Sequence, residues 1–158
     1  MSLEFTIRQA QSADIPLLIQ ARVDFLAALG HPIPDDKLKE TQKRLQTFIT
    51  QSLNRDLFAW IALDDSQIAA AGFLQVFQIM VHGNAPSGRY GRIVNVLTWE
   101  AYRSQGLGRR IMNQLIAKAR QLGLDYISLN ASDLGRPLYE SLGFVDDVPE
   151  DPPMILPL

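Results

Sequence analysis

Val94 to Arg110 reads VNVLTWEAYRSQGLGRR, and where this stretch passes from strand to helix decides the fold. Ile93, Val94, Val96 and Leu97 are apolar with Asn95 set among them, which predicts a strand over Tyr90 to Thr98. Gly106 and Gly108 then stand among Arg103, Arg109 and Arg110 at the mouth of the clearest helix, Gly106 to Gly123. Ile111, Leu115, Ala119 and Leu122 fall on one face of that helix, and Met112 and Ile116 widen it. A helix start exposes unpaired N–H groups and a partial positive charge, so a glycine turn leading into it suits a phosphate. The arginines add donors that match phosphate oxygens. No GK[ST] follows and the spacing is not GxGxxG, which disfavours nucleotide triphosphate hydrolysis. Alone, the pattern equally describes a strand-to-helix turn with solvated arginines.

Upstream, Phe5 to Arg8 reads as a short strand, and Ser12 to Asp14 offers cap chemistry for a helix that ends at Gly30. HPIPDD is a turn, Lys37 to Leu53 is a second amphipathic helix, and Leu57 to Leu63 with Ile68 to Met80 predict a hairpin around DDSQ. Downstream, Tyr126 to Asn130 predicts a strand and Pro137 to Leu142 a short helix closed by Gly143. Phe144 with Val145 is expected to start a further strand, and the tail MILPL to complete the sheet or pair with a second subunit as a homodimer. The order is β-α-α-β-β-β-α-β-α-β, an α/β mixed sheet with helices on both faces. Tyr90 to Asn130 should contribute a parallel strand pair through a crossover helix.

A chain of 158 residues can bury one real core, so residues 1–158 are expected to form a single domain. The formal charge of -2 gives no global attraction to nucleic acid or anionic membrane. There is no cysteine, which removes thiolate metal sites and a covalent cysteine intermediate. His31 and His82 lack partners at ligand spacing, so no metal is expected. MSLEFTIRQAQ has no signal-like pattern and nothing approaches the roughly 20 apolar residues of a membrane span, so a cytoplasmic location is expected.

Taken with "YISLNAS" and "PLYESLGF", the opening stretch resembles the GNAT family of N-acetyltransferases in motif and order. The family's acyl-CoA motif, Q/R-x-x-G-x-G/A, is matched by Arg103, Gly106 and Gly108. The turn before it reads W-E-A-Y-R where the family often has x-P-E-Y-R. The resemblance implies a GNAT-like fold and an acyltransferase that takes acetyl-CoA. It implies that Arg103, Ser104, Gln105, Gly106, Leu107, Gly108 and Arg109 surround the CoA diphosphate. It further implies that main-chain groups of Val96, Leu97 and Thr98 bind the pantetheine arm like an added strand. Asn130 is then a residue that holds that arm, or a turn-forming asparagine.

Acetyl transfer to an amine needs a neutral nucleophile, a polarised thioester carbonyl and a stabilised leaving thiolate. An alkylamine of pKa near 10.4 is about one part in a few thousand neutral at pH 7, a handicap of roughly 4–5 kcal/mol. By the resemblance, Tyr139 is the acid that meets the thiolate and also touches the cofactor; by type alone it is a packing tyrosine. A main-chain N–H near Leu97 is expected to meet the carbonyl oxygen. Glu100 is a base acting through a water that Asn95 positions, or a solvated turn carboxylate. Phe25 and His31 are expected to line the acceptor pocket, with Asp35 nearby. Without cysteine the amine must attack directly in a ternary complex. The expected acceptor is a small-molecule primary amine; the alternatives are a protein N-terminus or lysine, or a non-catalytic CoA sensor.

Overall fold

Every residue from Leu57 to Leu63 is buried, because this strand lies inside the sheet and carries a core on each face. The structure is a computed structural model that describes residues 4–158. Its sheet has five strands in the order of the chain: β1 (Thr6–Gln9), β2 (Leu57–Asp64), β3 (Gln67–Gln78), β4 (Arg89–Thr98) and β5 (Ile127–Ser128). The first four are antiparallel to their neighbours, and β5 runs parallel to β4. DDSQ makes the β2–β3 hairpin as expected, with Asp65 in the left-handed region at φ 52°.

Helices α1 (Ile15–Ala28) and α2 (Asp35–Ser52) cover one face, and α3 (Leu107–Gln121) covers the other. Leu18 and Ala21 of α1 and Ile49 of α2 pack on Leu57, Ala59, Ile61 and Phe73. Leu107, Ile111, Met112 and Leu115 of α3 pack on Phe58, Trp60, Leu74 and Ile93. Gly72 lets α3 come this close: a Cβ there would lie 2.6 Å from Ile111 Cγ2. Asp14 fixes the entry to α1, accepting two hydrogen bonds from Arg8 at 2.7 and 2.8 Å and one from the Gln11 N–H at 2.7 Å.

The strand expected at Phe144 and Val145 does not form. Helix α4 (Arg136–Ser141) ends with Gly143 at φ 95°, where the Gly143 N–H bonds the Glu140 carbonyl and the Phe144 N–H bonds the Tyr139 carbonyl. That is a Schellman cap, whose apolar residue packs back on the last turn. Phe144 does so, its ring 6.1 Å from that of Tyr139. Met154, Ile155, Leu156 and Leu158 of the tail are exposed and make no strand either.

Candidate active site

The site begins with one extra residue in β4. Ala71 pairs with Leu97 and Phe73 with Val94, so Gly72 alone faces both Asn95 and Val96. This bulge holds Asn95 at φ 60°, a region asparagine tolerates better than most residues. Asn95 is buried, and its Nδ2 donates to the Ala21 carbonyl of α1 at 3.1 Å. A bulge bends its strand, and here β4 leaves β5. The two strands pair only at Gly91 with Ile127 and Arg92 with Ser128. Beyond them the edge of β4 as far as Thr98 has no strand beside it among the described residues, which opens a cleft.

Register decides which main-chain groups face that cleft. The Trp99 N–H donates to the Ala69 carbonyl at 3.1 Å, which marks Trp99 and Ala69 as a hydrogen-bonded pair. Such pairs recur at every second residue, so Leu97 also bonds across to Ala71. The N–H of Leu97 is therefore turned to β3, and its neighbours Val96 and Thr98, within the expected stretch, present theirs to the cleft.

At the mouth of the cleft the chain makes a short turn, Glu100–Tyr102, and then places Ser104 at φ 62° and Gly106 at φ 74°. Gly106 is the N-cap of α3, one residue before the helix proper begins at Leu107, and no side chain caps the helix. The first N–H groups of α3 thus lack partners among the described residues. A Cβ on Gly106 would meet nothing within 4 Å, so the approach is open, whereas one on Gly108 would lie 3.4 Å from Leu138 and 3.8 Å from the Thr98 hydroxyl. Buried Leu107 anchors the turn to the core. Arg103 Nε reaches the Thr98 carbonyl at 3.4 Å, and Gln105 is exposed. Arg109 is drawn to α4, where its Nη2 donates to the Ser141 hydroxyl at 2.7 Å. An uncapped helix start behind a left-handed turn fits a diphosphate, and the free β4 edge fits an extended amide-bearing arm.

Helix α4 brings Tyr139 to the same side of the sheet as α3. Its ring is buried, and burial raises the pKa of its hydroxyl, so the group stays protonated at neutral pH. The hydroxyl has no protein partner among the described residues. Asn95 Oδ1 is the one fully enclosed side-chain polar atom lacking a partner among those residues, so the Tyr139 hydroxyl remains accessible. Gly135, a residue the sequence reading missed, makes room for the ring: a Cβ there would lie 2.8 Å from Cε2 and 3.2 Å from the hydroxyl oxygen.

Other predicted residues are less closely gathered. Asn130 is exposed two residues beyond β5. Glu100 is exposed at the start of its turn. Asn95 is engaged with α1, so its amide group serves the bulge. Phe25 is partly buried near the end of α1 with the Arg22 guanidinium 5.8 Å from its ring centre, while His31 and Asp35 are exposed beyond it. Trp99 ties the end of β4 to the same helix, its Nε1 donating to Asp24 at 2.9 Å. Among the described residues no three His, Cys, Asp or Glu gather as metal ligands, and no helix is long and apolar enough to cross a membrane.

Comparison with known proteins agrees with this geometry. A family model for the acetyltransferase (GNAT) family matches residues 23–144. Glucosamine 6-phosphate N-acetyltransferase 1 of Oryza sativa subsp. japonica is 28% identical over 144 residues, which cover 90% of this chain and 82% of that protein. Among solved structures, a predicted acetyltransferase with acetyl-CoA from Clostridium acetobutylicum is 29% identical with a TM-score of 0.85, covering 96% of each chain. A GCN5-related N-acetyltransferase from Ralstonia eutropha JMP134 shares the fold at 20% identity and a TM-score of 0.78, covering 96% of this chain and 99% of that one.

Proposed function

This chain belongs to the acetyltransferase (GNAT) family and is an N-acetyltransferase by class, and from that premise we propose that it acetylates a primary amine of a small molecule with acetyl-CoA. The observation that carries the reading is the uncapped start of α3 behind Ser104 and Gly106, set beside the unpaired edge of β4. Acetyl-CoA supplies an activated thioester. The N–H groups from about Gln105 to Arg109 hold its diphosphate, and Val96 and Thr98 bind its arm through their main chain. The same two residues offer the N–H that polarises the acyl carbonyl. Tyr139, whose hydroxyl is protonated at neutral pH and held further so by burial, gives its proton to the leaving sulfur, and the proton that the amine loses on becoming an amide restores the tyrosine.

The reacting amine comes from the α1 side of β4, where Phe25 lies. Holding amine and thioester together supplies much of the rate, so no acetyl-enzyme is needed. The rice relative is named for an amino-sugar phosphate, which supports a small acceptor over a protein one. One sheet with a core on each face supports reading residues 1–158 as a single domain. The test is thiol release from acetyl-CoA over an amine panel. Release with intersecting initial-rate plots, slowed at least about 10-fold by Tyr139→Phe, is expected. No release with any amine, or parallel plots, overturns the reading.

A further inference from the structure

Most arginines of this chain have partners. Arg8 binds Asp14, Arg44 binds Glu40, Arg55 binds Asp56 and Arg136 binds Asp146, while Arg89, Arg103 and Arg109 donate to Leu122, Thr98 and Ser141. Arg110 and Arg120 lack partners among the described residues but are exposed. Arg22 and Arg92 differ from all of these: among the described residues, they alone are arginines both partly buried and without any hydrogen-bond or ion-pair partner. Burial lowers the pKa of Arg22, the sign of a cation withdrawn from water with no counter-charge. A shielded guanidinium is stable where an anion meets it.

The two stand on elements that pack together, α1 on β4. In β4, Gly91 and Ile93 face the α3 core, so Tyr90, Arg92 and Val94 face the α1 side. Across the sheet Arg92 pairs with Gln75 of β3 and Ser128 of β5, which makes a polar row. On one side of that row is an aromatic one, Phe77, Tyr90 and Tyr126, with ring centres 5.3 and 5.1 Å apart and nearly parallel planes. On the other side α1 crosses the bulge at Ala21, the neighbour of Arg22. Gln75, Arg92 and Ser128 are only partly buried, and they border the stretch of β4 that opens the cleft.

We propose that the acceptor amine carries an anionic group, phosphate or carboxylate, which seats between Arg22 and Arg92 on the α1 side of β4. This rests on the amine-acetylation reading above. The anion replaces the missing counter-charge of both guanidiniums, Gln75 and Ser128 add neutral hydrogen bonds, and the aromatic row bounds the apolar part of the acceptor. Fixing the acceptor by its anion leaves the amine free to point along β4 toward Val96.

The test uses matched acceptors that differ in the anion: amino-sugar phosphates against their parent amino sugars, and amino acids against their amides. In the wild-type enzyme, kcat/KM should favour the charged member of at least one pair by about 30-fold or more, and which pair does so identifies the anion. Arg22→Gln and Arg92→Gln should each cut that preference at least about 10-fold, and Arg92→Lys should cut it less. Coenzyme A binding by calorimetry confirms that each variant is folded. Calorimetry of the same acceptors with CoA-saturated protein gives a readout independent of turnover. Tighter binding of the charged members with no thiol release would overturn the acetylation reading and leave the anion site standing. Equal use and equal binding of charged and neutral members, or a preference that both Gln variants retain, overturns the anion site.

Discussion

Gly135→Ala adds a methyl group against Tyr139 and leaves the turn before α3 and the free edge of β4 untouched. The new Cβ would lie 2.8 Å from Cε2 and 3.2 Å from both Cζ and the hydroxyl oxygen of Tyr139. Carbon atoms in contact prefer at least about 3.5 Å, so the ring or the start of α4 must move by about 0.7 Å. The ring is buried between the sheet and Phe144, which resists the movement, and overpacking of this kind costs about 1–3 kcal/mol of stability. A misplacement near 1 Å can cost about 100-fold in rate, so kcat should fall about 10-fold or more while CoA affinity stays within about twofold. The assay is a double-mutant cycle on kcat. In the Tyr139→Phe background no proton remains to be misplaced, so adding Gly135→Ala should change kcat little. If Gly135→Ala slows the wild-type enzyme and the Tyr139→Phe enzyme by the same factor, the hydroxyl is not the group being displaced and its role as acid is refuted.

Asn95→Ala removes the bond to Ala21 and puts a side chain poorly suited to φ 60° into the bulge. Stability should fall by about 2 kcal/mol in urea melts, with CoA affinity falling alongside; a loss under about 0.5 kcal/mol would show that the bulge does not depend on it. Asp14 is held below its ordinary pKa by hydrogen bonds from Arg8, against the opposing effect of burial. Its folded pKa is lower than its unfolded one, so the stabilisation is fully present above about pH 4–5 and is lost as pH falls through the folded value. Asp14→Asn should therefore cost about 1–3 kcal/mol at pH 7, a gap that narrows in melts below about pH 4. A gap independent of pH would contradict the pairing.

What the sequence revealed was local. Gly30, Gly123 and Gly143 each end a helix in the left-handed region, and each is readable as a helix stop because glycine chemistry acts on its own neighbours. The turn before α3 is readable for the same reason. Non-local packing decides the rest. Phe144 looks like the start of a strand, but the cap of α4 and the Tyr139 ring claim it. The direction of the Leu97 N–H depends on a register that the bulge at Asn95 shifts by one residue, and no pattern of residue types encodes that shift. Gly135 draws no notice in the sequence because its constraint is a ring one helical turn away. Arg22 and Arg92 sit on different elements, and only the sheet register and the crossing of α1 put those elements together.

The central claim is that the main chain from Gln105 to Arg109 binds the diphosphate of an acyl carrier. Its most direct test is amide NMR of the isotope-labelled protein titrated with coenzyme A. The amide signals of Gln105 to Arg109 should shift furthest, with those of Val96 and Thr98 following. A titration in which coenzyme A leaves the Gln105 to Arg109 amides unmoved, whether it binds elsewhere or not at all, would contradict the account.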